Sequence, residues 1–194
     1  ANTKSVVSLY LIRKYFFANS SPDYDKALSL LALLEKEQGK NPLFGKMKTW
    51  ATDTRNSSVG KQLPTFTAYD LNGKMVSSAD LSSAPVAVIY TWASYNYDSQ
   101  ELQRELKRRQ KKANGRLKLM GFCLDASKYE CKQNIKRDSI TSPTICNGEM
   151  MEDKTLNKLG LKSLPNIILL QNGKIIARGM KKQELYNKLD ELLK

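Results

Sequence analysis

The chain of 194 residues contains no histidine. Histidine is the side chain that most often serves as a metal ligand and as a general base near neutral pH, and it is the usual partner of a catalytic serine or cysteine. Serine–histidine and cysteine–histidine enzymes are therefore excluded. A hydroxyl nucleophile in this chain could be activated only by a carboxylate or a lysine.

Cysteine is nearly as scarce, with Cys123, Cys131 and Cys146 separated by 8 and 15 residues. This spacing is neither a CxxC pair nor a zinc pattern, so the sequence predicts no metal site and no cofactor. Cys123 lies in an apolar segment and is expected to be buried, whereas Cys131 and Cys146 are expected to be exposed. A disulfide between those two and a lone reactive thiol both stay open, because an odd count leaves at least one thiol unpaired.

Long hydrophobic runs are also missing. No segment approaches the roughly 18 to 20 apolar residues that a membrane-spanning helix needs, so no transmembrane segment is predicted. The first residues show no signal-peptide pattern. If the natural protein is exported, we expect its leader to have been removed from this sequence.

Acidic residues are fewer than basic ones, 19 against 32, and the net charge is +13. Much of the excess lies in residues 101–118, ELQRELKRRQKKANGRLK, with eight basic and two acidic residues. Such a segment can bind phosphates by releasing their counterions, but it has no interleaved aromatic residues that could stack on bases. We interpret it as the solvated face of a surface helix and predict no nucleic-acid partner. Salt-sensitive binding of an anionic partner by residues 104–118 is the alternative.

Two regions of different character follow each other along the chain. Residues 1–55 are predicted as an N-terminal helical segment with helices at 4–18, 23–38 and 44–55, the second introduced by the cap-like cluster Ser20-Ser21-Pro22-Asp23. The polar stretch from Asp53 to Gly60 is the predicted linker. Residues 56–194 alternate strands and helices and are predicted as the second domain.

The second region begins with a hairpin signal at Asn72-Gly73 and ends with another at Asn172-Gly173, followed by a C-terminal helix. Between them, the apolar runs 85–93 and 116–125 are typical of buried central strands, and each is followed by a helical pattern. The order predicts an α/β fold with a mixed central sheet and helices on both faces.

Ordered motifs in this region resemble the thioredoxin-like thiol-disulfide oxidoreductases of the bacterial envelope, the TlpA/ResA and AhpC/TSA-related group. The quoted stretches are VGKQLPTFTAYDLNGKMVSSADL, VAVIYTWAS and LGLKSLPNIILLQNGKIIARG, which together span about 135 residues. The matching positions are Val59, Gly60, Pro64, Phe66, Asp70, Gly73, Lys74, Trp92, Ala93, Pro165, Leu169, Gly173, Lys174 and Ile175. The N-terminal helices resemble the segment that precedes the thioredoxin module in a multidomain envelope subgroup.

The resemblance implies an active-site corner at TWASYNYDSQ, where the family carries its CxxC pair. Aligning Trp92-Ala93 with the family motif places Asn96 and Ser99 at the two cysteine positions, so no catalytic residue is predicted there. Asn96 is among the best N-cap residues, and Asp98 would place negative charge in the first helical turn. A new reaction at Asp98 or Ser99 is the alternative.

Leu164-Pro165 matches the family's cis-proline position, beside which an extended substrate can pair with the backbone. A binding groove is therefore expected between the corner and this proline. Its expected residues are Trp92, Tyr95, Tyr97, Leu164 and Pro165. The cis bond could instead serve the fold alone.

Two functions stay open on the sequence. The preferred one is a redox-inactive, thioredoxin-like module that binds a protein or peptide or acts as a scaffold. The alternative is a thiol-disulfide oxidoreductase or peroxiredoxin-like enzyme that uses Cys131 or Cys146. The resemblance further implies a location in the bacterial envelope, periplasmic or tethered to the membrane through a removed N-terminal segment.

Overall fold

The structure, a computed structural model, describes residues 7–17, 23–39, 42–161 and 163–194. The chain divides into two compact units, Ala1–Asn56 and Ser57–Lys194. Residues 1–6 and 18–22 lie outside the described part, and with them Val6 and most of the predicted cap cluster before the second helix.

The first unit is helical. Helix α1 spans Val7–Ile12 and continues as a π-helical segment, Arg13–Phe17, while α2 spans Tyr24–Gln38 and α3 spans Pro42–Asn56. Asp23 caps α2 by accepting a hydrogen bond from the backbone N–H of Lys26 over 2.9 Å. The apolar faces meet in one small core formed by Leu9, Ile12, Ala27, Leu31, Leu34, Phe44 and Ala51. Helix α3 includes the first half of the predicted linker.

The second unit is built on a five-stranded mixed sheet. The bounds are β1 Thr67–Tyr69, β2 Met75–Ser77, α4 Ser78–Ser82, β3 Val86–Trp92, α5 Tyr97–Lys112, β4 Leu117–Cys123, α6 Lys128–Arg137, β5 Thr144–Ile145, α7 Lys154–Lys158, β6 Ile167–Gln171, β7 Lys174–Arg178 and α8 Lys182–Leu192. A 3₁₀ turn, Met150–Glu152, precedes α7. The sheet order is β5-β4-β3-β6-β7, with β3, β4 and β5 parallel and β6 and β7 antiparallel to their neighbours. β1 and β2 form a separate antiparallel hairpin.

Both faces of the sheet are covered, so the predicted mixed sheet with helices on both faces is confirmed. One core packs the hairpin, α4 and α7 against the sheet, and its members include Phe66, Leu81 and Leu156. The other packs α5, α6 and α8 against the opposite face. The predicted central strands are β3 and β4, and every residue of β3 is buried.

Burial of β3 corrects one prediction about the groove. Trp92 was expected to offer binding surface, but its side chain is fully buried in the core beneath α5. It packs over the neighbouring strand at Gly121, where an added Cβ would lie 3.3 Å from the indole nitrogen. The same Cβ would lie 3.1 Å from the Tyr90 ring, so the absence of a side chain at Gly121 leaves space for both aromatic side chains.

Candidate functional site

The corner between β3 and α5 is closed by a helix cap. The Asn96 side chain accepts a hydrogen bond from the backbone N–H of Ser99 over 2.8 Å, as the sequence predicts for an N-cap. This bond satisfies one of the N–H groups that the first helical turn leaves free. The N-terminus of α5, which could otherwise stabilise a bound anion, thus already donates one of its N–H groups to Asn96.

Ser99 holds the same corner from inside the fold. Its side chain is fully buried, and its hydroxyl donates to the backbone carbonyl of Asn96 over 2.8 Å. The same oxygen accepts a hydrogen bond from the backbone N–H of Ala93 over 3.1 Å. The hydroxyl therefore joins the end of β3 to the start of α5 and does not face solvent.

Ser94 is fixed at the tip of the strand by two further contacts. Its backbone N–H donates to Oδ1 of Asp125 over 2.9 Å, and its carbonyl accepts from the Gln100 side-chain amide. Gln100 is in turn held by Arg104 and Arg137, whose guanidinium groups donate to its Oε1 over 3.2 and 3.0 Å. The corner is rigidly bonded on both sides of the turn.

Asp98 lies in the first turn of α5, as predicted, and faces solvent. Its carboxylate pairs with the ammonium group of Lys182 on α8 over 3.1 Å. Lys182 also pairs with Glu101. Asp98 therefore takes part in the contact between α5 and α8.

Thr91 attaches the loop before β6 to the same end of β3. Its hydroxyl donates to the carbonyl of Ser163 over 2.9 Å and accepts from the backbone N–H of Asn166 over 2.7 Å. Between these two contacts lies the Leu164–Pro165 peptide bond, which is cis. The predicted proline position is thus placed beside the corner by one buried threonine.

The remaining predicted groove residues lie at or near the surface. Tyr95 and Tyr97 are 67% and 70% exposed, and Leu164 and Pro165 are half-buried. The Arg104 guanidinium lies 6.0 Å from the centre of the Tyr97 ring, a weak cation–π contact. Of the three aromatic residues expected to line the groove, Tyr95 and Tyr97 are exposed and Trp92 is buried.

The cysteines contradict the prediction most clearly. Cys131 and Cys146, expected to be exposed, are both buried, and so is Cys123. All three are free thiols, and their sulfur atoms lie within 4.8 Å of one another. Residues separated by 8 and 15 positions therefore form one buried sulfur cluster.

Strand register and the crossover helix explain this convergence. β4 and β5 are parallel, with Phe122 opposite Ile145. Cys123, the last residue of β4, and Cys146, the residue after β5, therefore lie side by side at the same end of the sheet. Helix α6 connects the two strands, and Cys131 on its inner face packs over that end. The available sequence signal was the position of both cysteines at strand ends, and cysteine spacing alone does not show it.

The three thiols shift one another's pKa values. Hydrogen bonding with Cys131 and with Cys146, together with burial, raises the pKa of Cys123. Hydrogen bonding by Cys123 and Cys131 lowers the pKa of Cys146, and the Gly148 N–H acts in the same sense. The Asp125 carbonyl, 3.6 Å from the Cys146 sulfur, favours the protonated thiol instead.

Cys131 experiences opposing influences. The hydrogen bond with Cys123 lowers the pKa of Cys131, but the hydrogen bond with Cys146, burial and the charge of Asp125 together raise it. Two of the three thiols therefore hold their protons more tightly than a free cysteine does. Of the three thiols, Cys146 is the one whose pKa is lowered overall, by its hydrogen bonds with the neighbouring thiols.

The basic helix uses many of its charges within the domain. Arg104 pairs with Asp138 over 3.0 Å, and Arg109 pairs with Glu105 over 3.1 Å and also with Asp190. Lys107 donates to the Asp138 carbonyl over 2.9 Å. These contacts agree with the interpretation of residues 104–118 as a surface helix, and the lack of a nucleic-acid partner stays a prediction.

Comparison with solved structures connects this architecture to known proteins. The C-terminal domain of a putative thiol-disulfide oxidoreductase from Bacteroides thetaiotaomicron is 26% identical, with a TM-score of 0.62 over 71% of this chain and 97% of that one. A thiol-disulfide oxidoreductase from Bacteroides fragilis is 28% identical, with a TM-score of 0.60 over 68% and 99% of the two chains. The chain has a thioredoxin-like fold, as these two solved structures do.

A wider match includes more of the chain. A thioredoxin-like protein from Bacteroides caccae aligns with 94% of this chain and 68% of its own length, with a TM-score of 0.67 and 13% identity, which supports the fold alone. No protein-family model and no curated protein sequence matches. No described helix of this thioredoxin-like protein is long and apolar enough to cross a membrane.

Proposed function

We propose that the thioredoxin-like domain is a redox-inactive module that binds an extended protein segment without covalent chemistry. In this proposal, Asn96 and Ser99 occupy the positions where related oxidoreductases carry their two cysteines. The observation that carries it is the Ser99 hydroxyl, which is buried and hydrogen-bonded to both sides of the corner.

The contacts of the corner leave it without a reactive group for disulfide exchange. Exchange begins with attack of a thiolate on a disulfide sulfur, and a second thiol resolves the mixed disulfide. An amide at position 96 supplies no thiolate. A hydroxyl at position 99 is a far weaker nucleophile, and here its proton is held by the Asn96 carbonyl.

The surface beside the corner supports peptide binding. Tyr95 and Tyr97 present exposed rings, and Thr91 holds Leu164 and Pro165 beside the same strand end. Aromatic side chains bury large area at low entropic cost, which is why they dominate binding surfaces. An extended segment with apolar side chains fits this combination of rings and loop.

Insulin reduction by dithiothreitol tests the absence of exchange chemistry. We expect the protein to accelerate the reaction no more than a variant with Cys123, Cys131 and Cys146 all replaced by alanine. The thiol-disulfide oxidoreductase from Bacteroides fragilis serves as the positive control. Turnover clearly above the cysteine-free variant would contradict the proposal.

A second candidate function is thiol chemistry at Cys146, with Cys123 or Cys131 as the resolving thiol. The close approach of the three sulfur atoms favours it, and their burial opposes attack on a protein disulfide. We expect slow alkylation of all three thiols by iodoacetamide at neutral pH in the folded protein. Rapid modification of Cys146 would favour the enzyme instead.

We further propose a location in the bacterial envelope, supported by the sequence resemblance to envelope oxidoreductases. Fractionation of the source cells, followed by immunodetection, tests this location. We expect the protein in the periplasmic or membrane fraction, and recovery with cytoplasmic markers would reject it.

A further inference from the structure

We propose that Cys123, Cys131 and Cys146 form a buried site for one soft metal ion, such as Cu(I), coordinated by three thiolate sulfurs. The three side chains come from the end of β4, from α6 and from the residue after β5. They belong to one core and lie on one face of the sheet. The site is separate from the corner at Asn96 and Ser99 and does not depend on its function.

The distances suit a three-coordinate ion. The three sulfurs lie no more than 4.8 Å apart, and in an equilateral arrangement at that limit the central point lies about 2.8 Å from each of them. Metal–thiolate bonds of about 2.3 Å would therefore need each sulfur to move by only about half an ångström. Side-chain torsions of this size leave the backbone of the two strands in place.

The donor set selects the kind of metal. All three donors are soft thiolates, which favour Cu(I) and zinc over hard cations such as Mg²⁺ or Ca²⁺. Structural zinc sites are almost always four-coordinate, and the cluster offers three ligands among the described residues. Three sulfurs without a fourth donor fit a soft ion of low coordination number.

A carboxylate with one unsatisfied oxygen next to the cluster also favours a cation. Asp125 is buried, and its Oδ2 has no hydrogen-bond partner among the described residues. The same residue contacts the cluster through its backbone carbonyl, which accepts from the Cys146 thiol. Oδ1 of Asp125 accepts from the Ser94 N–H, so Oδ2 alone is left without a partner among the described residues. A buried carboxylate oxygen without a partner is costly, and a cation bound nearby would offset part of that cost.

A surface groove of about 630 Å³ supplies an entry path, because Cys146 is among its lining residues. The groove runs between the β1–β2 hairpin and the starts of α6 and α7. Its other charged lining residues include Asp70, Glu149 and Asp153, which are attractive to a cation, and Lys128, Lys132 and Lys154. The groove therefore leads from the surface to Cys146, and Cys123 and Cys131 are not among its lining residues.

Binding balances without a change of oxidation state. One Cu(I) replaces the protons on those sulfurs that carry them, the released protons pass to solvent, and three metal–sulfur bonds form. Neither the metal nor the thiols are oxidised or reduced. The process needs no co-reactant.

Anaerobic titration of the reduced full chain with Cu(I), against a competing Cu(I) chelator, tests the site. We expect one Cu(I) per chain and an X-ray absorption spectrum with three sulfur neighbours at about 2.3 Å. Replacing any one cysteine by serine should weaken binding by about 100-fold or more. The matched control is Ile89→Val, a buried change on the opposite face of β3, which should bind Cu(I) as the wild type does.

Thermal unfolding without metal shows whether each serine variant is folded. If a serine variant is unfolded, the wild-type protein is tested by alkylation with and without bound Cu(I). We expect Cu(I) to protect all three thiols from the alkylating reagent. Failure to bind Cu(I), or unchanged binding in all three variants, would overturn the proposal. Preferential binding of Zn²⁺ with a fourth, lighter ligand would overturn the three-coordinate assignment. A disulfide that reforms in place of metal uptake would assign the cluster to thiol oxidation.

Discussion

Ser99 and Asn96 are joined by two hydrogen bonds that run in the same direction, each 2.8 Å long. The Ser99 backbone N–H donates to the Asn96 side chain, and the Ser99 hydroxyl donates to the Asn96 backbone carbonyl. A third bond connects the hydroxyl to the N–H of Ala93. One asparagine and one serine thus join a buried strand to the helix that follows it.

Removing either partner should destabilise the domain. Ser99→Ala leaves the buried Ala93 N–H without its partner and should cost about 1 to 3 kcal/mol. Asn96→Ala removes the cap and should cost about 0.5 to 2 kcal/mol. Urea unfolding monitored by circular dichroism measures both. A loss below about 0.3 kcal/mol in both variants would show that these bonds do not hold the corner.

Placing two cysteines at the corner should introduce exchange chemistry. In the double variant Asn96→Cys/Ser99→Cys, the first thiol lies at the start of α5, where free N–H groups and the helix dipole lower its pKa. We expect insulin reduction at least about tenfold faster than in the wild type. Asn96→Cys alone lacks the resolving thiol and is the control. An inactive but folded double variant would show that the surrounding groove no longer accepts a disulfide substrate.

Thr91 should control the loop that carries Leu164 and Pro165. Thr91→Val keeps the shape of the side chain but removes the hydrogen bonds to Ser163 and Asn166, at a cost of about 1 to 3 kcal/mol. Hydrogen exchange should accelerate at Asn166 more than in β4. Thr67→Val, on the β1–β2 hairpin, is the comparison. Equal protection of the loop in both variants would argue against this role of Thr91.

The two exposed tyrosines of the corner should be needed for peptide binding. Tyr95→Ser/Tyr97→Ser should lower the affinity for peptides selected from a random displayed library by about tenfold or more. Tyr69→Ser/Tyr129→Ser is the matched control, because these side chains are 69% and 71% exposed and lie on other elements. Binding that survives the first pair, or is lost equally in both, would place the peptide elsewhere.

Asp138 should make the domain sensitive to acid. The hydrogen bond from Arg137 lowers the pKa of Asp138, and Arg104 acts in the same sense. Because the folded value lies below the unfolded value, the contribution of this carboxylate is complete above about pH 5 and disappears as the pH falls through the folded pKa.

The corresponding variant is Asp138→Asn, which should cost about 1 to 2 kcal/mol at pH 7, since Arg137 is largely exposed and its contact is screened. Urea unfolding from pH 7 to pH 3 should show a shallower loss in the variant than in the wild type. Asp98→Asn, which removes a surface pair with Lys182, should change stability by less than about 0.5 kcal/mol. Parallel pH profiles for wild type and Asp138→Asn would contradict the assignment.

Much of the fold follows from local patterns. The apolar run of β3, the turns at Asn72-Gly73 and Asn172-Gly173, and the cap at Asn96 each depend on residues close in sequence. The short helix α4 and the two-residue strand β5 carry too few residues for a periodic signal, and the sequence pattern does not show them. Alternate residues of β3 face opposite sides of the sheet, so the position of this strand decides which of the two cores each of its apolar residues joins.

The sequence by itself determined that residues 85–93 form a buried strand, that a capped helix follows, and that the helix begins without cysteine. Only the tertiary structure decided that Trp92 is hidden and that the three thiols meet. Trp92 is hidden because it lies in the core that α5 and α8 pack against the sheet, next to Gly121 of the neighbouring strand. The meeting of Cys123, Cys131 and Cys146 depends on the parallel pairing of β4 with β5 and on the helix that crosses between them, because long-range pairing brings together positions whose separation along the chain carries no signal.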